Sequence, residues 1–147
     1  MNQTKIKVAV IGVGNCFSSL YQGIEYYKDA KGSSVPGIMF SCIGGYRPAD
    51  IEVVAAFDVD KRKVGRPVGE AIFAEPNCAR VFCEGVPAGP VVSMGHTLDG
   101  VSTHMEEQPE KYGFRVSDKV PEDVVSTLKE SGADILINYL PVGSQQA

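Results

Sequence analysis

The chain has 147 residues and a mass of 15.7 kDa, with 44% hydrophobic and 22% charged residues, and its 14 basic and 18 acidic side chains leave a net charge of −4. One domain of ordinary size fits that length, and no apolar run approaches the ~18–20 residues of a bilayer span. The acidic balance gives no electrostatic footprint for a nucleic acid backbone, so neither a membrane nor a nucleic acid is an expected partner.

Met1 to Lys7 is polar and lacks a signal-peptide pattern, which points to the cytoplasm. Lys5 to Ile11 is β-branched and turns from alternating to continuously apolar, as a central parallel strand does when both faces are covered. Cys16 to Tyr27 places Phe17, Leu20, Ile24 and Tyr27 on one face of a helix. From Lys28 to Ala49 the period dissolves among Ser33, Ser34, Pro36, Gly37, Gly44 and Gly45, which reads as an inserted loop.

Ile51 to Asp58 is a second strand, ending in a carboxylate. A charged stretch, Asp60 to Arg66, precedes a short helix at Val68 to Phe73, and Ala74 to Pro90 reads as an extended loop. Val91 to Met94 is a brief third strand. Pro121, Glu122 and Asp123 open a helix that carries Val124, Val125 and Leu128 and stops at Gly132. Ile135 to Ile137 is a fourth strand of buried character, ended by Pro141. Strands alternating with helices in this way make an α/β fold with a doubly wound parallel sheet of the Rossmann type.

The four cysteines, Cys16, Cys42, Cys78 and Cys83, are spaced for neither a disulfide framework nor metal pairs and read as reduced thiols. His96 and His104 are too few and too isolated for a zinc site, so no metal is expected.

Chemistry concentrates at G-V-G-N-C-F, Gly12 to Phe17, where the first strand hands over to the first helix. Gly12 permits a tight turn, and Gly14 lets a pyrophosphate approach amides at the positive helix end. The third glycine of the usual motif is replaced by Phe17, while Asn15 and Ser18 offer side-chain caps. The acidic residue that grips the adenine ribose normally lies about 20 residues on. Asp58 takes that part only if the loop at Lys28 to Ala49 is an excursion that leaves strand order unchanged, and its alternative reading is a loop cap. Its carboxylate favours NAD over NADP, although Lys61, Arg62 and Lys63 keep NADP open. Asn138 to Ser144, shaped by Pro141 and Gly143, is either a second cofactor surface or an ordinary strand-to-helix connection.

Val8 to Tyr27, Val35 to Met39, Val53 to Asp60, Thr97 to Gly100 and Asn138 to Ser144 together resemble the prokaryotic branch of myo-inositol-1-phosphate synthase, with G-V-G-N-C-F-S-S-L, F-D-V-D and L-P-V-G-S as the specific signatures. The resemblance implies an NAD-dependent isomerase that converts glucose 6-phosphate to inositol phosphate without net redox change, in a cytoplasmic homo-oligomer, a homotetramer, that serves inositol and phospholipid biosynthesis. It implies cofactor contacts at Gly12, Val13, Gly14, Asn15, Cys16, Asp58, Asn138, Leu140 and Pro141, and places Asp99 on the nicotinamide side. Cys16 is then a small packing residue beside the cofactor and not a nucleophile.

Family members are much longer, and their phosphate-holding and proton-moving lysines lie beyond Ala147. The expectation is therefore an amino-terminal NAD-binding portion at residues 1–147, with an incomplete sheet, that holds NAD but does not isomerise by itself. A dehydrogenase of another substrate class and a non-catalytic NAD-binding module are the alternatives.

Overall fold

The computed structural model describes residues 4–32, 35–144 and 146. The first three residues, Ser33, Ser34 and Ala147, which enter the readings above, lie outside the described residues. Four strands, β1 (Ile6–Ile11), β2 (Ile51–Asp58), β3 (Val92–Met94) and β4 (Ile135–Asn138), form one parallel sheet in the order β3-β2-β1-β4. After β1 the chain winds outward through β2 and β3, then returns to the other side of β1 as β4. The reversal puts a crevice outside the carboxyl ends of β1 and β4, where open α/β sheets bind ligands.

Helices cover both faces, so the sheet is doubly wound. On one face Val8, Val10, Ala56 and Val92 meet Phe17 and Tyr21 of α1 (Asn15–Tyr26) and Val68 and Ala71 of α2 (Val68–Ala71), together with Ile72. On the other, Ala9, Ala55 and Phe57 meet Val124 and Leu128 of α4 (Val124–Ser131). A bulge preserves this division. Val8 pairs with Val53 but Ala9 pairs with Ala55, so the extra Val54 shifts the alternation by one residue. Val53 and Ala56 consequently pack on the same face. The long segment before β2 leaves strand order intact, because β1 and β2 are neighbours from Ile6↔Ile51 to Ile11↔Phe57.

Four local readings are corrected. The buried stripe of α1 is Phe17, Ser18, Tyr21 and Gln22 instead of Phe17, Leu20, Ile24 and Tyr27, because Gln22 finds backbone partners at Arg80 and Phe82 and donates to the Ser18 hydroxyl. Helix α4 begins at Val124, not Pro121: the Asp123 side chain accepts from the amides of Val125 and Ser126 and so sets the start. Gly132 ends α4 in the left-handed conformation, as its position implied. Strand β4 is not buried, since Ile135 is 49% and Leu136 45% exposed at the sheet edge. A one-turn helix, α3 (Thr103–Glu106), forms where no element was expected.

Candidate functional site

The turn from β1 to α1 is shaped by close backbone packing. Gly12 sits at φ +92° with its amide donating to the Phe57 carbonyl at 2.9 Å. A Cβ there would lie 3.1 Å from the Tyr139 carbonyl atoms, so the position demands glycine. Gly14 differs: a Cβ on it would meet nothing within 4 Å, because it faces the crevice. It also caps α1 without any side-chain hydrogen bond, and the first turn carries no acidic residue. Asn15 and Ser18 do not cap the helix as their types suggested. The positive end of α1 therefore opens onto the crevice with backbone amides.

Beneath the turn lies a buried polar cluster. The Val13 amide donates to Asp58 Oδ2 at 2.8 Å, while Asp58 Oδ1 accepts from the amides of Val59 and Asp60. The Val13 carbonyl accepts from Lys63 Nζ at 2.9 Å and from Asn77 Nδ2 at 3.0 Å. Lys63 Nζ also donates to Asn77 Oδ1 at 2.9 Å and lies 3.8 Å from Asp58 Oδ2. The Lys63 side chain is 0% exposed. Burial pushes its pKa below the ordinary lysine range, opposed by the charges of Asp58 and Asp60.

Sequence reasoning missed Lys63, which had been read as part of a cationic run facing the ribose. Each member of that run is committed elsewhere. Lys61 pairs with Glu110, and Arg62 holds the buried Asp60 through Nε and Nη2 while reaching the Gly113 carbonyl. Burial would raise the Asp60 pKa, but the hydrogen bonds from Arg62 and the Arg115 amide outweigh it and hold the carboxyl low. The available signal was charge balance, since two carboxylates closing a buried strand require cations beside them.

The opposite wall comes from β4. The Tyr139 amide continues the ladder by donating to the Ile11 carbonyl, and Asn138 Oδ1 accepts from the Leu140 amide at 2.8 Å, turning the chain so that Leu140 and Pro141 face Gly12 and Gly14. Between the walls is a cleft of about 290 Å³, lined mainly by apolar groups that include Val59, Leu98 and Phe114. A more polar hollow of about 520 Å³ adjoins it at Gly100 and Pro141, with Asp99, Ser102, His104, Gly143 and Ser144 on its walls. Asp99 Oδ1 accepts from the Gln146 amide there. His96 lies on the first cleft.

Of the residues singled out in the sequence, Gly12, Gly14, Asp58, Leu140 and Pro141 share the first cleft. Val13 is buried below it, and Asn138 acts through the turn that it closes. Cys16 is exposed in the first turn of α1. Asn15 instead tethers the neighbouring segment, its Oδ1 accepting from the amides of Cys78 and Ala79. Gln22 does the same for Phe82 and Cys83, so α1 straps down a stretch whose sequence read only as loop. All four cysteines are unbridged, and among the described residues no three His, Cys, Asp or Glu side chains converge as metal ligands. Among the described residues no helix is long and apolar enough to cross a membrane.

No family model matches the chain. It is 46% identical over 145 residues to an inositol-3-phosphate synthase of Mycobacterium tuberculosis, covering 98% of this chain and 38% of that protein. It is 46% identical over 144 residues to the inositol-3-phosphate synthase of Mycolicibacterium smegmatis, covering 97% and 38%, and 44% identical over 148 residues to that of Corynebacterium glutamicum, covering 100% and 39%. The chain thus spans well under half the length of these curated relatives. Among solved structures, the crystal structure of Ari2 superposes with a TM-score of 0.70 at 33% identity, over 93% of this chain and 38% of that one. A myo-inositol-1-phosphate synthase-related protein from Thermotoga maritima shares the fold at a TM-score of 0.62 and 19% identity, over 92% of this chain and 34% of its own.

Proposed function

The chain is a homologue of the inositol-3-phosphate synthases over its whole length, and from that premise we propose that it forms the NAD-binding portion of such an enzyme. The observation that carries the reading is the junction of β1 and α1. A helix start without a side-chain cap opens onto the crevice at the reversal of strand order, and Gly14 leaves its approach clear. That donor set suits a diphosphate. Asp58, latched to the same turn, stands where an adenine ribose would be read, and the apolar lining at Val59, Leu98 and Phe114 suits a planar base.

In this reading Gly12, Gly14, Asp58, Leu140 and Pro141 contact NAD, with Val13, Asn15, Cys16 and Asn138 shaping the site around it. Bound NAD supplies a hydride acceptor that later returns the hydride, so that glucose 6-phosphate becomes 1D-myo-inositol 3-phosphate with no net oxidation. The roles left to these residues are binding and orientation. Proton transfer and recognition of the sugar phosphate belong, in this proposal, to lysines outside residues 1–147. A cytoplasmic homo-oligomer completes it, and the open edge of β4 supports association.

The 147-residue chain is expected to bind NAD in a calorimeter and to show no turnover. The complete enzyme is expected to form inositol phosphate from glucose 6-phosphate while added NAD stays constant. Net accumulation of NADH would assign a dehydrogenase of another substrate class instead, and absence of heat with NAD would remove the dinucleotide reading altogether.

A further inference from the structure

We propose that Lys63 is a positioning residue for the diphosphate site: from beneath the turn, with Asn77, it holds the Val13 carbonyl inward and thereby aims the Gly14 amide at the ligand. This rests on the dinucleotide reading above and identifies what makes that turn competent.

The argument is geometric. A trans peptide is planar, with its carbonyl and the N–H of the next residue pointing in opposite directions. The Val13 carbonyl accepts two hydrogen bonds from the interior side, from Lys63 Nζ at 2.9 Å and Asn77 Nδ2 at 3.0 Å. The Gly14 N–H in the same peptide unit must then point outward, and Gly14 lines the cleft. The preceding peptide is fixed separately, because the Val13 N–H donates to Asp58 Oδ2. The two peptide groups that flank Val13 are thus set by three side chains. Asn77 is itself tied to the Ile72 carbonyl, and Asp58 to the amides of Val59 and Asp60.

A cation is the fitting group at this place. An ammonium donates only, so it cannot tolerate the flipped peptide, which would present an N–H to it. A neutral amide at Asn77 alone carries both a donor and an acceptor and would accept either orientation. The burial of Lys63 fits a structural task, since its side chain has no solvent to reach and its charge is balanced by Asp58 at 3.8 Å. Burial favours the loss of its proton, and the surrounding carboxylates favour keeping it.

The test compares NAD, ADP and adenosine by titration calorimetry on the intact protein and on Lys63→Met, which keeps the length of the stem and removes the cation. The proposal expects NAD and ADP to weaken by about tenfold or more, with adenosine unchanged because it lacks the diphosphate. Equal weakening of all three would reduce Lys63 to a general support of the fold, and unchanged NAD and ADP affinity would remove its role; either overturns the proposal.

Failure of the intact protein to bind NAD or ADP would instead defeat the dinucleotide reading, and this inference with it. If Lys63→Met does not fold, the Gly14 amide resonance of the intact protein decides. A shift with ADP and none with adenosine supports the assignment, and no shift with bound ADP overturns it.

Discussion

On the β1–β2 side of the cleft, the Gly12–Gly14 turn is held from below by Asp58 at the end of β2, Lys63 just after it and Asn77 beyond α2. On the β4 side, the bonds among the described residues that hold Asn138–Ser144 are one from Tyr139 to Ile11, a local turn at Asn138 and one within Pro141–Ser144, beside the packing of Tyr139 on the core. Val142 on that side is fully exposed, and β4 itself lies open at the sheet edge. A buried, mutually satisfied polar cluster fixes one geometry, whereas a segment with local bonds and little burial opens at small cost. One wall is therefore preorganised, and the other is held more loosely.

The comparison is broken most severely by Lys63→Ala. The substitution leaves the Val13 carbonyl and Asn77 Oδ1 each without their cationic donor, and Asp58 beside a void. Breaking a buried charge pair in this way costs about 3–5 kcal/mol, to be read from urea unfolding. A loss below about 1 kcal/mol, the scale of an exposed ion pair, would mean that the first wall is no better anchored than the second.

Gly12→Ala tests where the walls touch. A methyl group at φ +92°, 3.1 Å from the Tyr139 carbonyl, strains the turn and pushes β4 away at once. The expected cost is about 1–3 kcal/mol, with weaker NAD binding. Gly14→Ala makes the control for this position, since its Cβ meets nothing within 4 Å and its φ is −91°. It should leave stability nearly unchanged while obstructing the ligand.

The difference between the walls also explains what the sequence disclosed. Strands β1 and β2 and the glycine turn leading into the first helix were legible because apolar runs and a glycine turn are local signals, although the cap fell on Gly14 and not on Asn15 or Ser18. The order of β2 beside β1 followed once the intervening segment was read as an excursion. Lys63 was not legible: in K-R-K it looks solvated, and only the chain's return through Asn77 encloses it. Nor was the tethering role of Asn15 and Gln22, whose partners lie about 60 residues away along the chain. The exposure of β4 was hidden for a different reason, because three adjacent aliphatics read alike in a central strand and at a sheet edge. Pro121 misled because a helix-starting residue stood two positions before a better cap, Asp123.

A smaller effect is expected from Asn138→Ala. It removes the acceptor of the Leu140 amide in an exposed turn, so the loss should be about 0.5–1.5 kcal/mol at most. Faster hydrogen exchange at Leu140 and reduced NAD affinity would show the second wall loosening by itself. Slowed binding with unaltered exchange would contradict its description as a locally held segment.

A last effect, and the one most specific to the first wall, comes from the titration of Lys63. Its folded pKa is depressed by burial below the ordinary 10.5 of the unfolded chain. Between those two values the unfolded chain binds more protons than the folded one, so this group's contribution to stability rises with pH. Other groups obscure the raw profile. Tyr21, for instance, has its pKa raised by burial and then by Glu25, and so contributes the opposite slope at alkaline pH. Subtracting the profile of Lys63→Met cancels those shared terms. The difference should move in favour of the native protein as pH climbs from the depressed folded value toward 10.5, and should level off above it. A difference that stays flat throughout would mean that the ammonium is as well solvated in the folded chain as in the unfolded one. The first wall would then owe its rigidity to backbone packing at Gly12, and the asymmetry between the two walls would rest on sterics alone.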